Sequence, residues 1–279
     1  MSVDLDNTGV ILLALEISDL PENPGRRVQI GILGVLGFAC LAYPDGMCGR
    51  FALDSETDEL IKEYVAQGGD FRDWRPGYSI APTDPAPIVR EWTHNGETMR
   101  EVEVAQWGLK PAWARAGGPA PINARLETIA SNGMFRSAFA GQRCVVPMRG
   151  YYEWVEQGDG KQPYFIHGET KSLAAAGLYS SRQENGHWVR TFTVVTRQAR
   201  DASGELHDRM PAFLTPDVWD QWLSPTKLAG TASEEMLAML DQSSLAVART
   251  MTTYPVDRKV NNVRTVDPAD PSVIEPIDL

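Results

Sequence analysis

From Met47 onward, short runs of apolar and polar residues alternate with turn-forming residues, at the spacing of strands and not of long helices. Ile88–Thr93 and Thr98–Ala105 predict two strands joined around Asn95-Gly96, a dipeptide that accepts the positive φ angles of a tight hairpin. Further strand-like runs are Cys144–Pro147, Tyr151–Val155, Tyr164–His167, Leu173–Tyr179 and Trp188–Thr196, with Glu184-Asn185-Gly186 supplying another turn. Helical patterning is sparser. Ser55 is placed to cap a helix through Gln67, because Leu60, Ile61, Tyr64 and Val65 share one face and Gly68-Gly69 ends it. Shorter helices are expected at Leu126–Ala130, at Pro216–Leu223 with Thr215 as cap, and at Ser233–Leu240. The elements follow no βαβ rhythm. The expected class is therefore α+β, with a β-rich core of mostly antiparallel strands curled into an open barrel and helices at its flanks.

Two segments break the pattern. Residues 1–46 are apolar without helix or strand period and contain a Pro21–Pro24 loop, which marks them as an extension separate from a domain at 47–279. The stretch from about Asp267 to Leu279, rich in proline and acid, reads as an extended tail. No repeat of solenoid or propeller length is present.

Composition narrows the chemistry. With 43% hydrophobic residues in 279, the chain has ample material for a core, but its net charge of −11 argues against bulk electrostatic capture of nucleic acid. Any DNA contact must rest on a local basic patch. Cys40, Cys48 and Cys144 form no CxxC spacing and the four histidines add no ligand pattern, so neither metal nor organic cofactor is expected. Free thiols point to a reducing, cytoplasmic setting. The apolar run Ile30–Tyr43 is too short to span a bilayer, and the acidic leader before it disfavours a secretory signal, so no membrane partner is expected.

Met47-Cys48 carries the sharpest chemical signal. Aminopeptidase trimming of a methionine before a cysteine exposes a free α-amine and a thiol on adjacent carbons. Their ordinary pKa values, about 7.7–8.0 and about 8.5, leave both partly nucleophilic near neutrality. Such a pair suits an aldehyde: the amine gives an imine, and the thiol closes onto the imine carbon as a thiazolidine. An amine alone would leave an imine open to β-elimination.

The ordered series Met47-Cys48-Gly49-Arg50-Phe51, Ile80-Ala81-Pro82, Trp107-Gly108-Leu109, Ile122-Asn123-Ala124-Arg125-Leu126-Glu127-Thr128, Gly150-Tyr151-Tyr152-Glu153-Trp154 and Leu206-His207-Asp208-Arg209-Met210-Pro211 resembles the motifs of the SRAP family. Val260-Asn261-Asn262-Val263 is similar to its closing motif. The resemblance implies a SRAP-like fold, acting as a monomer, that traps abasic sites in single-stranded DNA through a terminal cysteine and shields them. It implies Cys48 as nucleophile, Glu153 as acid and base in imine formation, His207 as proton shuttle to the opened sugar, and Asn123 as the residue that orients cysteine or sugar. Arg50 and Arg125 resemble phosphate-binding arginines, with ion pairs to Glu127 or Asp208 as the alternative for either. Trp107 and Trp113 are the aromatic candidates for stacking where the base is missing, with core packing as the alternative.

The chain departs from the family pattern in two places. Forty-six residues precede Met47, and while they remain attached Cys48 has no amine. The leading expectation is that translation starts at Met47; a propeptide cut before Cys48 and a retained extension without activity are the alternatives. The leader carries a net charge of −4, which leaves −7 on the remainder. Ser79 stands where family members commonly carry asparagine. Two rival functions remain open at this stage: a cysteine peptidase with Cys48 and His207 as its dyad, and a non-covalent reader of modified bases.

Overall fold

The computed structural model describes residues 49–54, 69–70, 75–115, 117–170, 172–184, 186–200, 204 and 206–279. The expected helix at Ser55–Gln67, the leader, Cys40 and Cys48 lie outside the described residues. Thirteen strands are described: β1 (Phe51–Leu53), β2 (Gly69–Asp70), β3 (Gly77–Ile80), β4 (Pro85–His94), β5 (Glu97–Trp107), β6 (Asn123–Arg125), β7 (Arg143–Met148), β8 (Gly150–Gln157), β9 (Gly160–His167), β10 (Leu173–Glu184), β11 (His187–Gln198), β12 (Arg209–Pro211) and β13 (Thr252–Pro255). Among the described residues three α-helices accompany them: α1 (Arg136–Gly141), α2 (Trp219–Leu223) and α3 (Thr231–Ala248).

The β4–β5 hairpin turns where the sequence places it. Asn95 and Gly96 take φ of 50° and 84°, a left-handed pair that suits the right-handed twist of both strands. The larger sheet runs β12-β11-β10-β7-β4-β5-β2. Five of its strands form a barrel that is closed, not open: β5 meets β11 in parallel, with Thr191 beside Gln106 and Phe192 beside Trp107. Closure removes the unpaired edges that an open barrel would expose on these two strands. Phe51, Trp107, Phe192, Val194 and Cys144 belong to the main core, in which burial pushes the Cys144 thiol up out of the reactive range.

A second sheet runs β13-β9-β8-β1-β3. Its strands separate two cores by alternation. On β1, Phe51 and Leu53 join the main core while Ala52 faces a smaller one with Tyr152, Phe165, Val256, Val260 and Val273.

Several expected elements differ. Leu126–Ala130 is a chain of turns, in which Thr128 N–H bonds the Arg125 carbonyl at 3.0 Å and Asn132 N–H bonds the Thr128 carbonyl at 2.8 Å. Pro216–Leu223 is split into a 3-10 turn and α2, and Thr215 caps neither, because its Oγ1 and its N–H are both held by Ser243 Oγ. The tail is docked: Tyr78 N–H bonds the Pro268 carbonyl at 2.7 Å, Ile277 N–H bonds the Pro255 carbonyl, and Val273 is fully buried. Among the described residues no helix is long and apolar enough to cross a membrane.

Candidate nucleic-acid site

Three of the positions singled out by sequence, Asn123, Arg125 and His207, lie on or beside two short strands that pair with one long strand, β11. Strand β11 pairs β10 from His187 to Val194; beyond that point the two part, and β12 lies against β11, with Ala212 N–H bonding the Val195 carbonyl and Ala176 N–H bonding the Ala212 carbonyl. Strand β6 pairs the other edge of β11 in parallel, with Asn123 beside Val194 and Arg125 beside Thr196. Asn123 and Arg125 share one face of β6, opposite the buried Ala124, and Arg125 is exposed.

His207 leads into β12 and is partly exposed. Its Nδ1 accepts the Arg209 backbone N–H at 3.1 Å, which leaves the proton of the neutral ring on Nε2. Asp208 Oδ1 stands 3.2 Å from the same nitrogen and forms an ion pair only with the protonated ring. Arg209 in turn forks onto Glu127, with Nη1 to Oε1 at 2.7 Å and Nη2 to Oε2 at 2.9 Å, and Nη2 also bonds the Thr196 carbonyl at 2.8 Å. Burial alone would raise the Glu127 carboxyl, but the Arg209 hydrogen bonds outweigh it and hold the group below its ordinary value. Glu127 therefore pairs with Arg209, and neither Arg50 nor Arg125 is its partner. Arg125 keeps its charge for other contacts. This bridge ties the β6 and β12 motifs together, and sequence reasoning missed it although both residues stand inside the quoted motifs.

Glu153 reaches the core from the second sheet. It lies on β8 two residues after Tyr151, on the same inward face, and only 1% of it is exposed. The Tyr151 ring meets Phe213, just past β12, at 6.1 Å. Opposite β8, Phe51 pairs with Tyr151 and the Arg50 carbonyl accepts Tyr152 N–H at 3.0 Å. Continued by one residue, that register sets Gly49 against Glu153. Cys48 itself lies outside the described residues.

Arg50 points the other way. It shares the outward face with Ala52, is 7% exposed, and donates Nη1 to Ser79 Oγ at 2.9 Å and to the Val260 carbonyl at 2.8 Å. Its Cζ lies 5.6 Å from the centre of the Trp154 ring, and its Nε has no hydrogen-bond partner. Burial lowers its pKa from the usual arginine value. The departure at Ser79 thus keeps its hydrogen bond, to the Arg50 guanidinium.

The two tryptophans separate cleanly. Trp107 is fully buried, stacks on Phe192 with centroids 6.3 Å apart, and donates Nε1–H to the Ile122 carbonyl at 2.9 Å. Stacking on a base by Trp107 is therefore corrected to core packing, since no face of the ring is open. Trp113 is 63% exposed on the loop after β5. Among the described residues no group of His, Cys, Asp and Glu could hold a metal ion.

Residues 47–263 match the family model described as SOS response associated peptidase (SRAP). Abasic site processing protein YoqW of Bacillus subtilis (strain 168) is 31% identical over 229 residues, 80% of this chain and 97% of its own. Abasic site processing protein YedK of Escherichia coli (strain K12) is 32% identical over 78% of this chain and 96% of its own. Abasic site processing protein HMCES of Xenopus tropicalis is 26% identical over 80% and 77%. A crystal structure of a protein from Bacteroides thetaiotaomicron shares the fold, with a TM-score of 0.57, 22% identity, and coverage of 84% of this chain and 98% of that one.

Proposed function

The chain belongs to the SOS response associated peptidase family, and from that premise we propose that it processes abasic sites in DNA by capturing them covalently. Its relatives from bacteria to vertebrates are named abasic site processing proteins. The finer reading is capture of the lesion in single-stranded DNA by Cys48, once the residues before it are gone, as a thiazolidine.

The observation that carries this reading is the register of β1 against β8. Continued by one residue, it sets Gly49, the residue bonded to Cys48, against Glu153, whose side chain is buried. In the proposed sequence the protonated His207 ring, paired with Asp208, gives its Nε2 proton to the sugar ring oxygen as the C1–O bond breaks, and the anomeric hydroxyl loses its proton to water as the aldehyde forms. The Cys48 amine then attacks the aldehyde carbon. Glu153 gives a proton to the leaving hydroxyl and, as carboxylate, takes one from nitrogen, so that one water leaves and an imine remains. The Cys48 sulfur adds to the imine carbon, the new C–S bond closes the ring, and the thiol proton ends on nitrogen. Asn123 orients the opened sugar. Arg125 and Trp113, both exposed, hold a neighbouring phosphate and base.

The test mixes protein beginning at Met47, and in parallel the full chain, with a single-stranded oligonucleotide carrying one abasic site, followed by a denaturing gel. A shifted band from the Met47 form, absent in Cys48→Ala and slow in Glu153→Gln, is the expected result. No shift from either form refutes covalent capture; cleavage of a peptide spanning Gly46–Cys48 in its place would move the peptidase rival ahead.

A further inference from the structure

We propose that Asn261, with Val260 and Trp154, is a positioning device that fixes the head of β1 against β8; the inference deepens the capture reading and rests on it for its kinetic consequence.

The closing motif Val260-Asn261-Asn262-Val263 has no place in the chemistry above, yet it grips both strands that meet at Gly49 and Glu153. The Val260 carbonyl accepts Arg50 Nη1 at 2.8 Å across 210 residues of sequence. Asn261 Oδ1 accepts Trp154 Nε1–H at 2.7 Å, and its Nδ2 donates to the Lys161 carbonyl at 2.8 Å. One residue therefore pins the β8 side chain next to Glu153 and the β9 backbone together.

The Arg50 guanidinium lies over the ring that Asn261 holds, with Ser79 and Val260 at its edge. Tyr152, which precedes Glu153 on β8 and bonds the Arg50 carbonyl through its N–H, is tied through its hydroxyl to the Tyr78 carbonyl at 2.6 Å. The motif is in turn anchored from outside. Asp257 accepts Lys259 N–H at 2.7 Å, and Arg258 forks onto Asp159 on the β8–β9 turn at 2.7 and 2.9 Å.

Tyr152 and Trp154 lie on the face of β8 opposite Glu153, so the clamp acts on Glu153 through the β8 backbone. Angular error at a strand end is what such a clamp removes, and small misplacements of reacting groups are costly in rate.

The experiment compares capture rates at saturating abasic oligonucleotide with the half-saturating concentration. Asn261→Ala should slow the saturating rate about fivefold, which is ~1 kcal/mol at 1.36 kcal/mol per decade, and leave half-saturation unchanged. Asn261→Asp, which retains the acceptor for Trp154, should recover most of the rate. Trp154→Phe should match Asn261→Ala, and the double variant should be no slower than either, as expected of two partners in one bond. Hydrogen exchange of the peptide containing residues 49–53 should quicken in Asn261→Ala with the melting temperature nearly constant. Wild-type capture with an unchanged Asn261→Ala rate, additive singles, or unchanged exchange overturns the clamp. Failure of the wild type to capture overturns the capture reading instead, and the exchange data then decide the clamp alone.

Discussion

Gly150→Ala tests the packing that sets Glu153 in place. Gly150 opens β8 opposite Ala52, and a Cβ built there meets the Ile166 carbonyl oxygen at 2.5 Å and the Phe165 ring at 2.5 and 2.9 Å. Ordinary contact begins near 3.4 Å, so β8 must shift from β9 by about 0.9 Å or Phe165 must leave its rotamer. The ring could turn, but the carbonyl belongs to a paired strand and moves only with its ladder. Overpacking of this kind costs about 3 kcal/mol, offset by ~0.5–1 kcal/mol from the reduced freedom of alanine in the unfolded chain.

A net loss of about 2 kcal/mol lowers the melting temperature of a domain this size by roughly 4–8 °C, and the shift of β8 should slow capture as well. Gly141→Ala is the control, because nothing lies within 4 Å of its built Cβ at the end of α1. Thermal melts of the three proteins under one buffer give the answer. A Gly150→Ala midpoint within about 1 °C of wild type would refute the reasoning.

Three further outcomes are expected. Trp107→Phe removes one of two donors to the Ile122 carbonyl, which keeps the Val194 N–H at 3.0 Å, and should cost about 1 kcal/mol by urea titration while leaving DNA affinity alone. Glu127 has a depressed folded pKa, so its contribution is present above the unfolded value, near 4.5, and is lost as pH falls through the folded one. Glu127→Gln should therefore be less stable than wild type at pH 7 by about 1 kcal/mol, a figure held down by solvent on its half-exposed side, and the two stability curves should converge in acid. Arg125→Ala and Trp113→Ala should leave melting temperatures unchanged yet weaken single-strand binding, and only the arginine variant should reduce the salt slope, by roughly one unit on a log–log plot.

Local signals in the sequence were reliable where one dipeptide or one alternation decides the outcome. Asn95-Gly96 fixed a hairpin because few other residues accept two positive φ angles in a row. The strands after Cys144 appeared where β-branched and aromatic residues alternate, each extended by a few residues in the structure.

What failed depends on partners distant in sequence. Leu126–Ala130 has helix-compatible residues, but the Leu126 N–H is bonded to the Thr196 carbonyl, and turns result. Trp107 stays open between stacking and core packing in the sequence because tryptophan content alone does not separate surface from core. Its parity with Ala105 on β5 carried the answer, since both fall on the buried face. The acidic, proline-containing end suggested a tail, yet Val273 and the Tyr254 hydroxyl, 2.7 Å from the Ile274 carbonyl, fasten it down. Of the candidate site, residue identities were legible and charge pairing was not: Glu127 with Arg209 spans 82 positions.

The way β11 serves both the barrel and the site has a consequence for how function is lost. Strands β6 and β12 are three residues each, and their backbone partners lie on β11, with β10 flanking the chain after β12. Neither has a ladder that could persist alone, so the rim bearing Asn123, Arg125 and His207 stands or melts with the barrel. Denaturation then acts on this protein as a switch: a chain that has opened its barrel offers damaged DNA no partly working remnant.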